Sequence, residues 1–102
     1  MEGERTALQA KVKMLQSELE PLEYQLFKEE NEGHLVRHQI SNNESELYRF
    51  NESDRDYKQL QSMNYELRCK LEENIVAVEK IRGVMENIKK EIKIVNGRLG
   101  DI

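Results

Sequence analysis

Glu30, His34 and His38 are the residues whose types and spacing come nearest to a chemical site. They recur every four positions, so a helix through them sets all three on one side, and a carboxylate with two imidazoles is a donor set that a divalent cation accepts. The surrounding sequence supplies no fourth ligand. In the heptad frame described below the trio falls at positions e, b and f, a solvated flank, and reads as surface side chains. Beyond these candidates the sequence assigns no metal, cofactor or catalytic residue. Cys69 stands alone, so an internal disulfide is impossible, and it falls at an outward f position between Arg68 and Lys70. Lys80, Arg82, Lys89, Lys90, Lys93 and Arg98 form the most basic stretch, but Glu79, Glu86 and Glu91 interleave with them and no aromatic ring lies among them. That mixed face is not expected to bind nucleic acid. Asn43-Glu44-Ser45 and Asn51-Glu52-Ser53 match the glycosylation sequon, yet Met1-Glu2-Gly3-Glu4-Arg5 does not begin a signal peptide, so neither is expected to be modified.

The 102 residues carry 16 Lys and Arg against 20 Asp and Glu, with 35% charged and 37% hydrophobic residues. Globular domains average about 25% charged and 45–50% apolar. A compact enzyme with a small-molecule substrate is therefore not expected. One Pro, five Gly, two Phe, four Tyr and no Trp leave too few turn-forming and aromatic residues for a β fold. No apolar run approaches the roughly 18 residues needed to span a bilayer, so membrane insertion is not expected. The sequence reads as one intracellular, cytoplasmic segment, with cytoskeletal or nuclear assemblies as possible settings.

Apolar spacing dictates the elements. Leu8, Val12, Leu15, Leu19, Leu22 and Leu26 alternate steps of 4 and 3, the pattern of a heptad a/d seam. The frame continues through Glu29, Gly33, Val36, Ile40, Asn43, Leu47 and Phe50, in phase but less apolar. A second frame runs from Tyr57 through Leu60, Asn64, Leu67, Leu71, Asn74, Val78, Ile81, Met85, Ile88, Ile92, Val95, Leu99 and Ile102. The pattern predicts an all-α, elongated coiled coil built from heptad segments 5–50 and 57–102, one coiled-coil segment in all. The frames are offset by three residues across the polar stretch 51–56, which is a stammer or a turn. Ser53, followed three residues later by Asp56, resembles a helix start there. Pro21 predicts a kink, or a helix that begins at Pro21.

Antiparallel pairing opposes a with d, so paired residue numbers have a constant sum. The sum 107 opposes Leu8 to Leu99, Val12 to Val95, Leu15 to Ile92, Leu19 to Ile88, Leu22 to Met85 and Leu26 to Ile81. It continues with Val36 to Leu71, Ile40 to Leu67, Leu47 to Leu60 and Phe50 to Tyr57. It also opposes Asn43 to Asn64, two amides able to satisfy each other and set the register. Glu29 against Val78 and Gly33 against Asn74 are its poor layers. On the flanks, Glu23 faces Arg82, but Lys11 would meet Arg98, Glu18 would meet Glu91 and Arg37 would meet Arg68. Residues 1–56 hold 7 basic and 13 acidic side chains and residues 57–102 hold 9 and 7, so the halves have opposite net charge.

The sum is met equally by a hairpin turning near 51–56 and by an antiparallel homodimer of long helices. Asn64 at an a position also leaves a parallel dimer open. Ile75, Ala77 and Val84 at e and g widen the apolar face of the second segment. A homo-oligomer is expected, with a dimer favoured and other coiled-coil proteins as further partners. The expected role is a structural spacer or interaction rod. The alternative is an obligate subunit of a hetero-oligomeric helical bundle that docks its C-terminal apolar face on another protein.

Overall fold

A computed structural model describes residues 2–102. The fold is all-α, with α1 spanning Glu2–Leu47 and α2 spanning Arg55–Asp101, and there is no strand among the described residues. Both helices take their length from the heptad sequence. Glu2 and Glu4 open α1, Asp56 opens α2, and Arg98 lies in the last turn of α2, charges that oppose the local helix dipole. Pro21 lies inside α1 and the helix runs through it, neither beginning there nor stopping. Pro21 is exposed, and the Ser17 hydroxyl just upstream donates to Met14 O at 2.7 Å. At the other end, Gly97 and Gly100 are helical and no glycine has positive φ, so neither forms a left-handed cap.

The chain forms two compact units, and each helix contributes to both. Of the described residues, those up to 27 and from 79 to 102 make one unit, an antiparallel helix pair in which Leu15, Met85 and Val95 are buried. Leu8, Val12, Leu19, Leu22, Leu26, Ile81, Ile88, Ile92 and Leu99 are half-buried around them. In a two-helix pair nothing lies above or below the seam, so most seam side chains keep one edge in water.

Residues 28–78 make the second unit, which contains the turn. Gly33, Val36, Ile40 and Asn64 are buried there. The turn begins earlier than the polar letters imply, because α1 ends at Leu47 and Phe50 lies beyond it, although still half-buried. Arg49 N–H donates to Glu46 O at 3.0 Å and Phe50 N–H to Leu47 O at 3.2 Å, tightening the chain out of the α-helix. Asn51 and Asp54 then clasp each other. Asp54 N–H donates to Asn51 O at 2.9 Å, and Asn51 N–H donates to Asp54 Oδ2 at 3.1 Å. Asp54 O accepts from Lys58 N–H at 3.2 Å, the first backbone bond of α2, so Asp54 and not Ser53 stands at the N-cap position.

The layer that looked poorest in sequence is closely fitted. Asn74 Nδ2 donates to Glu29 O at 2.7 Å and to Glu29 Oε2 at 2.9 Å. Its amide lies over Gly33 so closely that a Cβ there would collide with Asn74 Oδ1 and stand 3.4 Å from Asn74 Cγ. A glycine inside a helix costs about 0.5–1 kcal/mol relative to alanine. Here it leaves the space that the Asn74 amide occupies. Gly33→Ala should lower stability by about 1 kcal/mol, since displacing the amide breaks its bonds to Glu29 and outweighs the gain in helix propensity. In an Asn74→Ala background the same substitution should become neutral or stabilising. Thermal melts of the four proteins check this, and a Gly33→Ala chain more stable than its parent would sink the argument.

Candidate functional site

The features able to make specific contacts are the interhelical seam, its polar layers and the faces outside it. Asn43 Nδ2 donates to Asn64 Oδ1 at 2.9 Å, joining the helices across the layer with sum 107. Asn64 is 3% exposed, and its own Nδ2 reaches Ile40 O at 3.4 Å. A buried amide with a satisfied oxygen is tolerated, whereas one facing only apolar side chains costs about 1–3 kcal/mol. In unit 28–78 the structure therefore brings Asn43 and Asn64 together and shields Val36, Ile40, Leu47, Phe50, Tyr57, Leu60, Leu67, Leu71 and Val78. Ile102, the last residue of the second frame, is exposed.

Ion pairs flank the seam, with partners different from those the sequence arithmetic suggested. Lys11 meets Glu91 at 3.5 Å rather than Arg98. Arg68 Nη2 meets Glu44 Oε1 at 2.6 Å rather than Arg37, and Lys70 meets Glu32 at 3.5 Å. These are g–g and e–e contacts whose residue sums are 102 and 112, so the long side chains reach along the helix to the next turn instead of straight across. All six side chains are about half exposed, and such pairs contribute about 0.2–1 kcal/mol each. They favour the antiparallel register without deciding it.

Glu30 on α1 is half-buried, and His34 and His38 are exposed. Among the described residues no group of three or more His, Cys, Asp or Glu is placed to hold a metal ion. Cys69 is exposed, beside Glu72, Glu73 and Val76 in an open hollow. Another hollow, about 400 Å³ and open to solvent, lies against Gln39, Asn43, Met63 and Leu67. The basic residues Lys80, Arg82, Lys89, Lys90, Lys93 and Arg98 are exposed on α2, and Glu91 in their midst is paired with Lys11. No helix is long and apolar enough to cross a membrane among the described residues. Several large apolar side chains also face outward. In unit 28–78 these include Leu35, Tyr48, Tyr65 and Ile75, and in the other unit Tyr24, Phe27, Val84 and Ile94.

No protein-family model, curated protein or solved structure matches the chain. What the arrangement offers chemically is pairing. The sequence reading missed the bonds from Asn74 to Glu29 and the reason for Gly33, although the pairing sum had already opposed Gly33 to Asn74. The available signal was a glycine inside a heptad run facing an amide.

Asn43→Leu should destabilise the chain by about 1–3 kcal/mol, because it leaves the Asn64 oxygen buried without its donor. Replacing both asparagines with Leu should raise the melting temperature above that of the parent and at the same time permit alternative registers. Melting curves and sedimentation velocity check the pair. A double variant that gains stability and keeps a single species of unchanged mass and sedimentation coefficient would show that the amides do not set the register.

Proposed function

We propose that the chain is a structural coiled-coil module that self-associates, a dimer being favoured, and that serves as a spacer or protein–protein interaction element within an intracellular scaffold. It is not an enzyme in this reading. The observation that carries the proposal is that the polar residues most protected from solvent are spent on helix pairing. Asn64 bonds Asn43 and the Ile40 carbonyl, and Asn74 bonds Glu29. What remains is a heptad seam that pairs one helix with another, flanked by charges that select a partner strand. Large apolar side chains outside that seam add surface for further association.

A second reading is favoured by the outward apolar residues of α2. Ile75, at an e position, is exposed in one unit, and Val84, at a g position, in the other. A hydrophobic position at e or g broadens the helix face beyond what one partner helix covers. In this reading α2 docks on a different protein, itself a coiled coil, and the chain is a subunit of a hetero-oligomeric bundle.

Sedimentation equilibrium separates the two. Self-association predicts a weight-average mass that rises with concentration from 12.1 kDa toward twice that value. A mass that stays at that of the single chain across the accessible range overturns self-association. Val84→Glu should then discriminate further, leaving the melting temperature nearly unchanged while weakening heterotypic binding.

A further inference from the structure

The turn between the helices lacks the residues that usually commit a chain to reversal. Tyr48, Arg49, Phe50, Asn51, Glu52, Ser53 and Asp54 include neither Gly nor Pro. No described residue has positive φ. A reversal built on a left-handed glycine resists conversion to helix, because that residue must change conformational region and then weakens the helix it joins. This turn has no such residue. Its hydrogen bonds are also local. The N–H groups of Arg49, Phe50, Asn51 and Asp54 donate within the segment 46–54. Each would find a carbonyl four residues earlier in a continuous helix, so straightening the turn orphans none of them.

The seam is equally indifferent to chain identity. Since a and d partners share one sum, every layer formed between α1 and α2 of one chain can form in the same register between α1 of one copy and α2 of another. We propose that residues 48–54 are a hinge at which the helix pair opens, and that the partner for the opened seam is a second copy of this chain. The product is an antiparallel, segment-exchanged dimer in which the Asn43–Asn64 and Gly33–Asn74 layers each form twice, between chains. This inference rests on self-association and supplies its mode. The three-residue offset between the two heptad frames becomes an overwound stretch of continuous helix, with Ser53 of one copy facing Asp54 of the other at the crossing. Charge does not oppose the crossing. Residues 49–58 hold Arg49, Arg55 and Lys58 against Glu52, Asp54 and Asp56, three of each sign.

The test reads which chain each helix partner belongs to. In a Cys69→Ser background, Glu44→Cys and Arg68→Cys place thiols at the two ends of an exposed ion pair. A short bifunctional thiol reagent is applied to the dimer fraction from size exclusion. Covalently linked dimers on a denaturing gel are expected. Internally bridged monomers, recovered from a fraction that was dimeric, would mean that intact helix pairs associate, overturning the hinge and leaving self-association in place. Asn51→Ala, Ser53→Ala and Asp54→Ala together remove the carboxylate bond of the clasp and raise helix propensity, and should tighten dimerisation by about tenfold or more. Ser53→Pro, harmless in a turn but costly inside a continuous helix even where one tolerates it, as α1 does at Pro21, should weaken dimerisation by about a hundredfold. Circular dichroism reports whether the proline variant stays folded, and if it does not, the alanine variant and the cross-link decide. A triple-alanine chain that remains monomeric overturns the hinge and the self-association reading together, and unchanged dimerisation in that variant overturns the hinge alone.

Discussion

The amide of Asn64 is the constraint on which the register depends. It is 3% exposed, and its oxygen is satisfied by one side chain, Asn43, on the other helix. Apolar seam residues are interchangeable in their attraction for one another, since burial is non-directional. A hydrogen bond between amides is directional and has one partner. Once Asn43 and Asn64 meet, the layers with the same sum are fixed, and Gly33 is set opposite Asn74. Within each unit the charged flanks then settle on partners that the register has brought within reach, Arg68 on Glu44 and Lys11 on Glu91.

The fold class was legible because the apolar spacing alternates 4 and 3 over most of the chain, a pattern that only paired helices use. The two frames differ by three residues, and that offset marks where α1 and α2 are separated. The end of α1 was less legible. Phe50 continues the heptad and is half-buried, so hydrophobicity did not distinguish a helical Phe50 from one just past the helix end. Hydrogen bonds of the i to i−3 kind and the Asn51–Asp54 clasp decide it, and these depend on backbone geometry that composition does not encode. Side-chain reach explains the other differences. The flanking residues were paired straight across, whereas Lys and Arg extend along the groove to a partner a turn away. Glu29 and Asn74 were read as defects because each lies in an apolar stripe. The amide spans its layer to bond both the carbonyl and the carboxylate of Glu29, which makes the pair a second polar contact between the helices.

The seam is thin, and this shapes what the chain can do. Among the described residues only Leu15, Val36, Ile40, Met85 and Val95 are buried apolar residues. Small cores leave little stability in hand, so the balance between pairing within a chain and pairing between chains rests on small terms. The turn is one such term. Contacts along the helices are the same in either arrangement, and the difference reduces to the conformational preference of residues 48–54 against the entropy of bringing two chains together.

Polar layers in so thin a seam cost stability, and their value lies in what they exclude. Heptads superpose in steps of seven, so the nearest competing registers have sums of 100 and 114. In the first, Asn64 would face Val36, Asn43 would face Tyr57 and Asn74 would face Leu26; in the second the same three would face Phe50, Leu71 and Ile40. Five of the six placements set an amide against an aliphatic or phenyl side chain that offers no hydrogen bond, and each such burial costs about 1–3 kcal/mol. Gly33 adds to this. Shifted by seven it would lie opposite Leu67 or Ile81, losing the amide that fills its space and leaving a gap in the seam. Two or three unpaired amides together approach the whole stability of a small domain. The asparagines and the glycine weaken the correct pairing slightly and the incorrect ones heavily, and that difference selects one register from several that hydrophobic spacing alone would allow.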